Sequence, residues 1–160
     1  MSHPSLGLPP RDLGAGRPAA AATLRASRLR LAARALEIAL DADATIGTRY
    51  DELALRRLLH DATVMLDQFA TALAAGEPAV ASAWAEQVAP LFRRRGVPMD
   101  DLVALAEGLR RAVRATLPPD DAGDVDAAVD AAIGAFRWHR RIAGDARKRN
   151  RLIDAIYKGA

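Results

Sequence analysis

Apolar positions along the chain recur every three or four residues rather than every second one, so the pattern predicts helices and no strands. The first run is Leu29, Ala33, Leu36 and Leu40, on a helix expected from Pro18, where the composition turns to Ala, Leu and Arg, to about Ala42. A polar break at 41–49 contains Gly47, with Thr48 as the expected N-cap and Asp51 three residues on as a weak capping-box partner. The second helix carries Leu55, Leu58, Leu59, Ala62, Met65, Leu66, Phe69 and Leu73, and Gly76 supplies the left-handed position that ends it at Ala75. Glu77-Pro78 then restarts the chain, with proline where no backbone donor is lost.

The third helix has a narrower stripe of Val80, Trp84, Val88, Leu91 and Phe92, and Trp84 is its largest expected buried residue. Pro90 removes one intrahelical bond and is expected to kink the last turn, at a cost of up to ~3 kcal/mol unless the helix is already bent there. The run Arg93-Arg94-Arg95-Gly96-Val97-Pro98-Met99-Asp100-Asp101 stops that helix and starts the next. The arginines suit the negative end of one helix dipole and the two aspartates the positive end of the other. Helix four follows on Met99, Leu102, Val103, Ala106, Leu109, Val113 and Leu117, until Pro118-Pro119 breaks it.

Helix five starts among Asp120, Asp121, Asp124 and Asp126, and its stripe is Val125, Val129, Ala132, Ile133 and Phe136. The pattern weakens at Gly144-Asp145 and resumes as Leu152, Ile153, Ile156 and Tyr157. Unbroken from Asp124 to Tyr157, this helix would be about 50 Å long, so its end should project. The expected fold is therefore all-α, an antiparallel four- to five-helix bundle with a long C-terminal helix. Residues 1–18, rich in Pro and Gly, read as a disordered leader, and 19–160 as one domain with an extension helix from about 137. Gly76, Pro78, Gly96 and Pro98 make two tight joints, and links this short are expected to pack neighbouring helices antiparallel.

Composition narrows the chemistry. Hydrophobic residues make up 51% and aromatic ones only 4%, so the core must be built mainly from Ala, Leu, Val and Ile. The absence of Cys excludes disulfides, thiolate metal sites and thiol nucleophiles, and suits a reducing compartment. No apolar stretch is long enough to cross a bilayer and no signal-peptide pattern opens the chain, so a cytoplasmic location without membrane contact is expected. The net charge of +3 is segmented: residues 51–92 carry two Arg against six acidic residues, whereas 136–160 carry eight basic residues against two acidic. Only the latter stretch suggests a charged partner.

No spacing of nucleophile, base and oxyanion donor nominates a catalytic site, and serines are few, at 2, 5, 27 and 82, so the chain is expected to be no enzyme. The glycines at 7, 14 and 16 lack a phosphate-binding spacing, Glu-x-x-His pairs are missing, and no metal or other cofactor is expected. His60 and Asp61 read as surface residues. His139 extends the Val125–Phe136 stripe, where it is either a half-buried core residue or an axial haem ligand. Arg137, Arg140, Arg141, Arg147, Lys148, Arg149 and Arg151 suit phosphate contacts, but no recognition-like helix accompanies them, and a solvated face or the flank of a dimerising helix fits as well.

Residues 53–117 carry a likeness. Leu66, Phe69 and Leu73-Ala74-Ala75-Gly76-Glu77-Pro78, then Trp84-Ala85-Glu86, then the run from Arg93 to Leu102, then Leu109-Arg110-Arg111-Ala112-Val113 resemble the N-terminal helical sensor domain of RsbRD-type stressosome co-antagonists and PucR-like regulators. The resemblance implies a globin-like fold, usually without haem, that dimerises and signals through its last helix. Pro90, in a helix that family usually keeps unbroken, and the end of the chain at Ala160 without an output domain depart from the pattern. The expectation is a sensor or regulatory module in stress or sigma-factor signalling, a homodimer acting on a regulatory protein in trans. Trp138, Ile142, Leu152, Ile153, Ile156 and Tyr157 are the expected interface, although pairing through the first two helices stays open. A haem- or small-ligand-binding protein and a nucleic-acid-associated protein are the alternatives.

Overall fold

The computed structural model describes residues 16–157, with side chains as far as Ile142. The leader before Gly16, and the expected interface residues Leu152, Ile153, Ile156 and Tyr157, lie outside the described side chains. Every described element is helical: α1 (Pro18–Ala26), α2 (Arg28–Ala42), α3 (Thr45–Arg49), α4 (Glu52–Ala75), α5 (Ala79–Arg94), α6 (Met99–Arg114) and α7 (Pro119–Tyr157).

The first expected helix is two. Ser27 leaves helical geometry at φ −104°, ψ 10°, so α1 packs on α4 while α2 turns to α6 as well as α4. Its buried face is Leu31, Ala32, Ala35 and Ala39, whereas Leu29 stands 69% exposed. The polar break folds into α3, which buries Ile46. The N-cap of α4 is Asp51 rather than Thr48: its carboxylate accepts from the Ala54 N–H at 2.8 Å, and the Thr48 hydroxyl instead donates to the Thr45 carbonyl. An aspartate in extended geometry (ψ 174°) can bond the first-turn donors that a residue still inside α3 cannot reach.

Gly76 closes α4 as expected, at φ 65°, with its own N–H on the Leu73 carbonyl and the Glu77 N–H on that of Ala72. α5 runs from Ala79 to Arg94 through Pro90, which is exposed, so the carbonyl deprived of its partner lies on the solvent side. The buried line of α5 is Ala81, Ala85, Ala89 and Phe92, with Val80, Trp84 and Val88 half-buried at its margin. Trp84 meets the fully buried Phe136 of α7 edge-on, ring centres 6.2 Å apart. The stripes of α4, α6 and α7 fall where the periodicity puts them, except that Leu55, Leu59 and Val103 stay partly exposed.

Short joints do not dictate neighbours here. α5 and α6, linked by residues 95–98, share little surface; α5 packs chiefly on α7, and α6 lies between α2 and α7. Arg114 faces Asp126, Arg110 faces Asp130 and Asp100 faces Arg140, so each step back along α6 matches a step forward along α7, and the two run antiparallel. Small residues set the closest approach: a Cβ on Gly108 would stand 2.3 Å from the Ala35 carbonyl oxygen, so α2 and α6 cross backbone against side-chain-free backbone. Gly16 fits against Ala74 in the same way, and the Arg17 N–H donates to the Leu73 carbonyl at 2.8 Å, which fastens the chain to the bundle before α1 begins.

Candidate functional site

The joint between α5 and α6 is a polar hub. Met99, Asp100 and Asp101 form the first turn of α6, where an acid in the third position usually bonds back to the N–H of the cap residue. Here the cap is Pro98, which has no N–H. Asp101 turns inward instead and is the one buried charged residue among those described, at 5% exposure. Arg49 Nη2 donates to its Oδ1 at 2.5 Å and the Tyr50 hydroxyl to its Oδ2 at 2.6 Å. Both carboxylate oxygens are thus bonded, one by a cation, which is the condition for a buried charge to be tolerated.

Charge spreads outward from this carboxylate. Arg49 also reaches Asp43 Oδ2 at 3.5 Å and contacts Thr45 Oγ1, and Asp43 Oδ1 accepts from the Thr45 amide and hydroxyl. Those Thr45 bonds, foremost the hydroxyl, pull the Asp43 carboxyl below the usual carboxylate range. Burial pushes the Tyr50 phenol up, and the bond to Asp101 pushes it further. Arg95 donates to both oxygens of Asp61, at 3.1 and 2.8 Å, and its guanidinium lies 5.1 Å from the centre of the Phe92 ring. Asp61, expected on the surface, has a side chain only 12% exposed. The hub holds α3, α4, α5 and α6 together at one end of the bundle.

A second network ties α6 to α7. Arg110, its side chain 12% exposed, faces Glu107 at 2.9 Å, Asp130 at 2.5 Å and Asp126 at 3.7 Å, while Arg114 holds Asp126 Oδ2 through Nε and Nη2 at 3.0 and 2.6 Å. Arg110 Nε and Asp126 Oδ1 are buried without a well-aligned hydrogen bond, so charge alone joins them to their neighbours. Arg17 adds Asp124 at 3.0 Å and Asp121 at 3.6 Å. The acidic start of α7, read from the sequence as dipole compensation, is also an arginine-bound seam.

Beyond Phe136 no described side chain of α7 is buried. Trp138 is 54% and Ile142 42% exposed, two of the few large apolar side chains left open. The Arg141 guanidinium sits 5.4 Å from the Trp138 ring centre, and Arg140 pairs with Asp100 at 3.0 Å. His139 is half-buried between them and lines neither of two surface grooves bounded by described residues. The backbone of α7 stays helical through Gly144-Asp145 to Tyr157, 39 residues in all against 24 for α4.

Of these grooves, both open, one of about 750 Å³ lies between α2 and the end of α6; the other, of about 490 Å³, lies beside the hub among Arg56, Arg57, His60, Asp61 and Arg95. Among the described residues no cluster of three His, Cys, Asp or Glu is placed to hold a metal ion, and no helix is long and apolar enough to cross a membrane. The chain matches no family model and no curated protein.

Proposed function

We propose that the chain is a non-enzymatic sensor or regulatory domain that works through protein–protein contact, with α7 as its association and output element. In this reading it is a homodimer of the RsbRD-like, globin-like kind in stress or sigma-factor signalling, and it engages a regulatory protein in trans in the cytoplasm. The observation that carries it is the contrast along α7: fully buried Val125, Val129, Ala132 and Phe136, then open Trp138 and Ile142 on the same continuous helix. At 1.5 Å per residue α7 spans about 58 Å and α4 about 36 Å, so α7 outreaches the longest other helix by roughly four turns. Aromatic and aliphatic side chains left open on such an arm are what a partner helix covers.

The test is the full chain carrying Trp138→Glu and Ile142→Glu together. Neither side chain is buried in the bundle, so the melting curve should stay, while sedimentation equilibrium should show the monomer mass in place of the dimer. A double variant that remains dimeric removes this face of α7 from the interface.

A further inference from the structure

The groove between α2 and α6 has no part in association through α7. From the close contact of Ala35 with Gly108, residues 30–42 and 111–116 extend along its two walls. Its floor is apolar, made by Leu31, Ile38 and Ala112. Its rim carries Arg30, Arg34 and Arg111, against Asp41 as the lining acid.

The partners of these cations decide what the groove can take. Arg111 has no ion pair or hydrogen bond to a described residue, although it sits one position from Arg110, which has three carboxylates around it. Among the described residues, the polar contact of Arg30 is the Ser27 hydroxyl, at 3.4 Å. Arg34 pairs with Glu37, but both side chains are about three-fifths exposed, and such a surface pair holds its partners weakly. Thr116 spends its hydroxyl proton on the Ala112 carbonyl, so the guanidiniums are the donors the groove offers. Arg95 and Arg114 are each held by a facing aspartate, Asp61 and Asp126, whereas Arg111 faces no such acid among the described residues.

We infer that the α2–α6 groove binds an amphiphilic organic anion, an aliphatic chain ending in a carboxylate, with the chain on Leu31, Ile38 and Ala112 and the head between Arg111 and Arg30. The carboxylate supplies the acceptors that the guanidiniums lack, and a planar fork matches it two bonds at a time. The chain lies along the half-buried Ile38 and the small open parts of Leu31 and Ala112, which an inorganic anion does not cover. The binding stands apart from the association reading, because it involves no residue of α7.

Octanoate titrated into the full-length protein, followed by amide chemical shifts, tests it. Saturable shifts at Ile38, Ala112 and Thr116 are expected with octanoate, and none at the same concentration of acetate or 1-octanol, which isolate head and tail. Arg111→Gln should weaken octanoate about tenfold, the loss expected for one charge-assisted contact, while Arg94→Gln, an exposed arginine at the far end of α5, leaves it unchanged. Arg30→Gln should act in the same direction as Arg111→Gln. Shifts confined to other helices, equal binding of 1-octanol, or equal weakening by Arg94→Gln overturns the site. The oligomeric mass, measured in the same samples, reads the α7 proposal separately, so either can fail without the other.

Discussion

The Tyr50 hydroxyl, at the end of α3, donates a 2.6 Å hydrogen bond to Asp101, fifty-one residues later in the first turn of α6. Together with Arg49 it turns an acid that local sequence explains as a dipole cap into the anchor of the α5–α6 joint. Tyr50→Phe keeps the ring and removes the donor, leaving Oδ2 of a buried carboxylate short of a partner. The expected loss is about 1–2 kcal/mol in urea denaturation at neutral pH.

The same pair makes a pH prediction. Burial and Asp101 raise the Tyr50 phenol above its unfolded value, so the folded state holds its proton longer than the unfolded state does. The stabilisation is complete below the unfolded tyrosine pKa of about 10 and is lost as pH climbs from there toward the folded value. The stability gap between the native chain and Tyr50→Phe should therefore be flat from about pH 7 to 9 and shrink above about pH 10. Denaturation curves at matched ionic strength across that range check it, and a gap that widens with pH contradicts it.

Two glycine substitutions should move stability in opposite directions. Gly108→Ala places a methyl 2.3 Å from the Ala35 carbonyl oxygen, and backbone on both sides has to yield. The strain should outweigh the roughly 1 kcal/mol that alanine gains in helix propensity and leave a net loss of about 1–3 kcal/mol. Gly134 lies inside α7, exposed, and a methyl added there would meet no atom within 4 Å, so Gly134→Ala should stabilise by about 0.5–1 kcal/mol. Thermal melts of the two variants give the sign of each directly.

Ion pairs that look alike on paper should differ in cost. Arg110→Ala removes a cation whose side chain is 12% exposed and leaves Asp126 and Asp130, one turn apart on α7, without the charge between them, so it should cost about 2 kcal/mol. Arg56→Ala removes an i,i+4 partner of Glu52 with both side chains about three-quarters exposed, and should fall within about 0.5 kcal/mol of the native chain. Denaturant midpoints at constant slope make the comparison.

Helices built on large residues are legible from spacing alone. Phe69, Leu109 and Phe136 mark their faces because each is too apolar to lie elsewhere at that period. Alanine does not mark a face. Leu29 draws the first stripe away from its true line because Ala32, Ala35 and Ala39 hold that line, and in α5 the alanines take the centre while Val80, Trp84 and Val88 cover its margin. The Ser27 break is hidden for the same reason, since an Ala- and Leu-rich run suits one helix as well as two. Of the polar features, Gly76 and the acidic first turns can be read because their causes are local. The partners of Asp101, Asp61 and Asp126 come from other helices, and no spacing announces them. Trp138 and Ile142, expected at an interface, are exposed in the single chain, and a second copy covering them is the proposal.

The association role of α7 meets its most direct test in light scattering of the full chain beside a chain ending at Arg137, which lacks Trp138, Ile142 and all of α7 beyond them. Phe136 is the last described buried residue of α7, so the shorter chain should keep the melting curve of the bundle. The full chain should have the dimer mass and the shortened one the monomer mass. A shortened chain that remains dimeric, or a full chain that is monomeric, contradicts it.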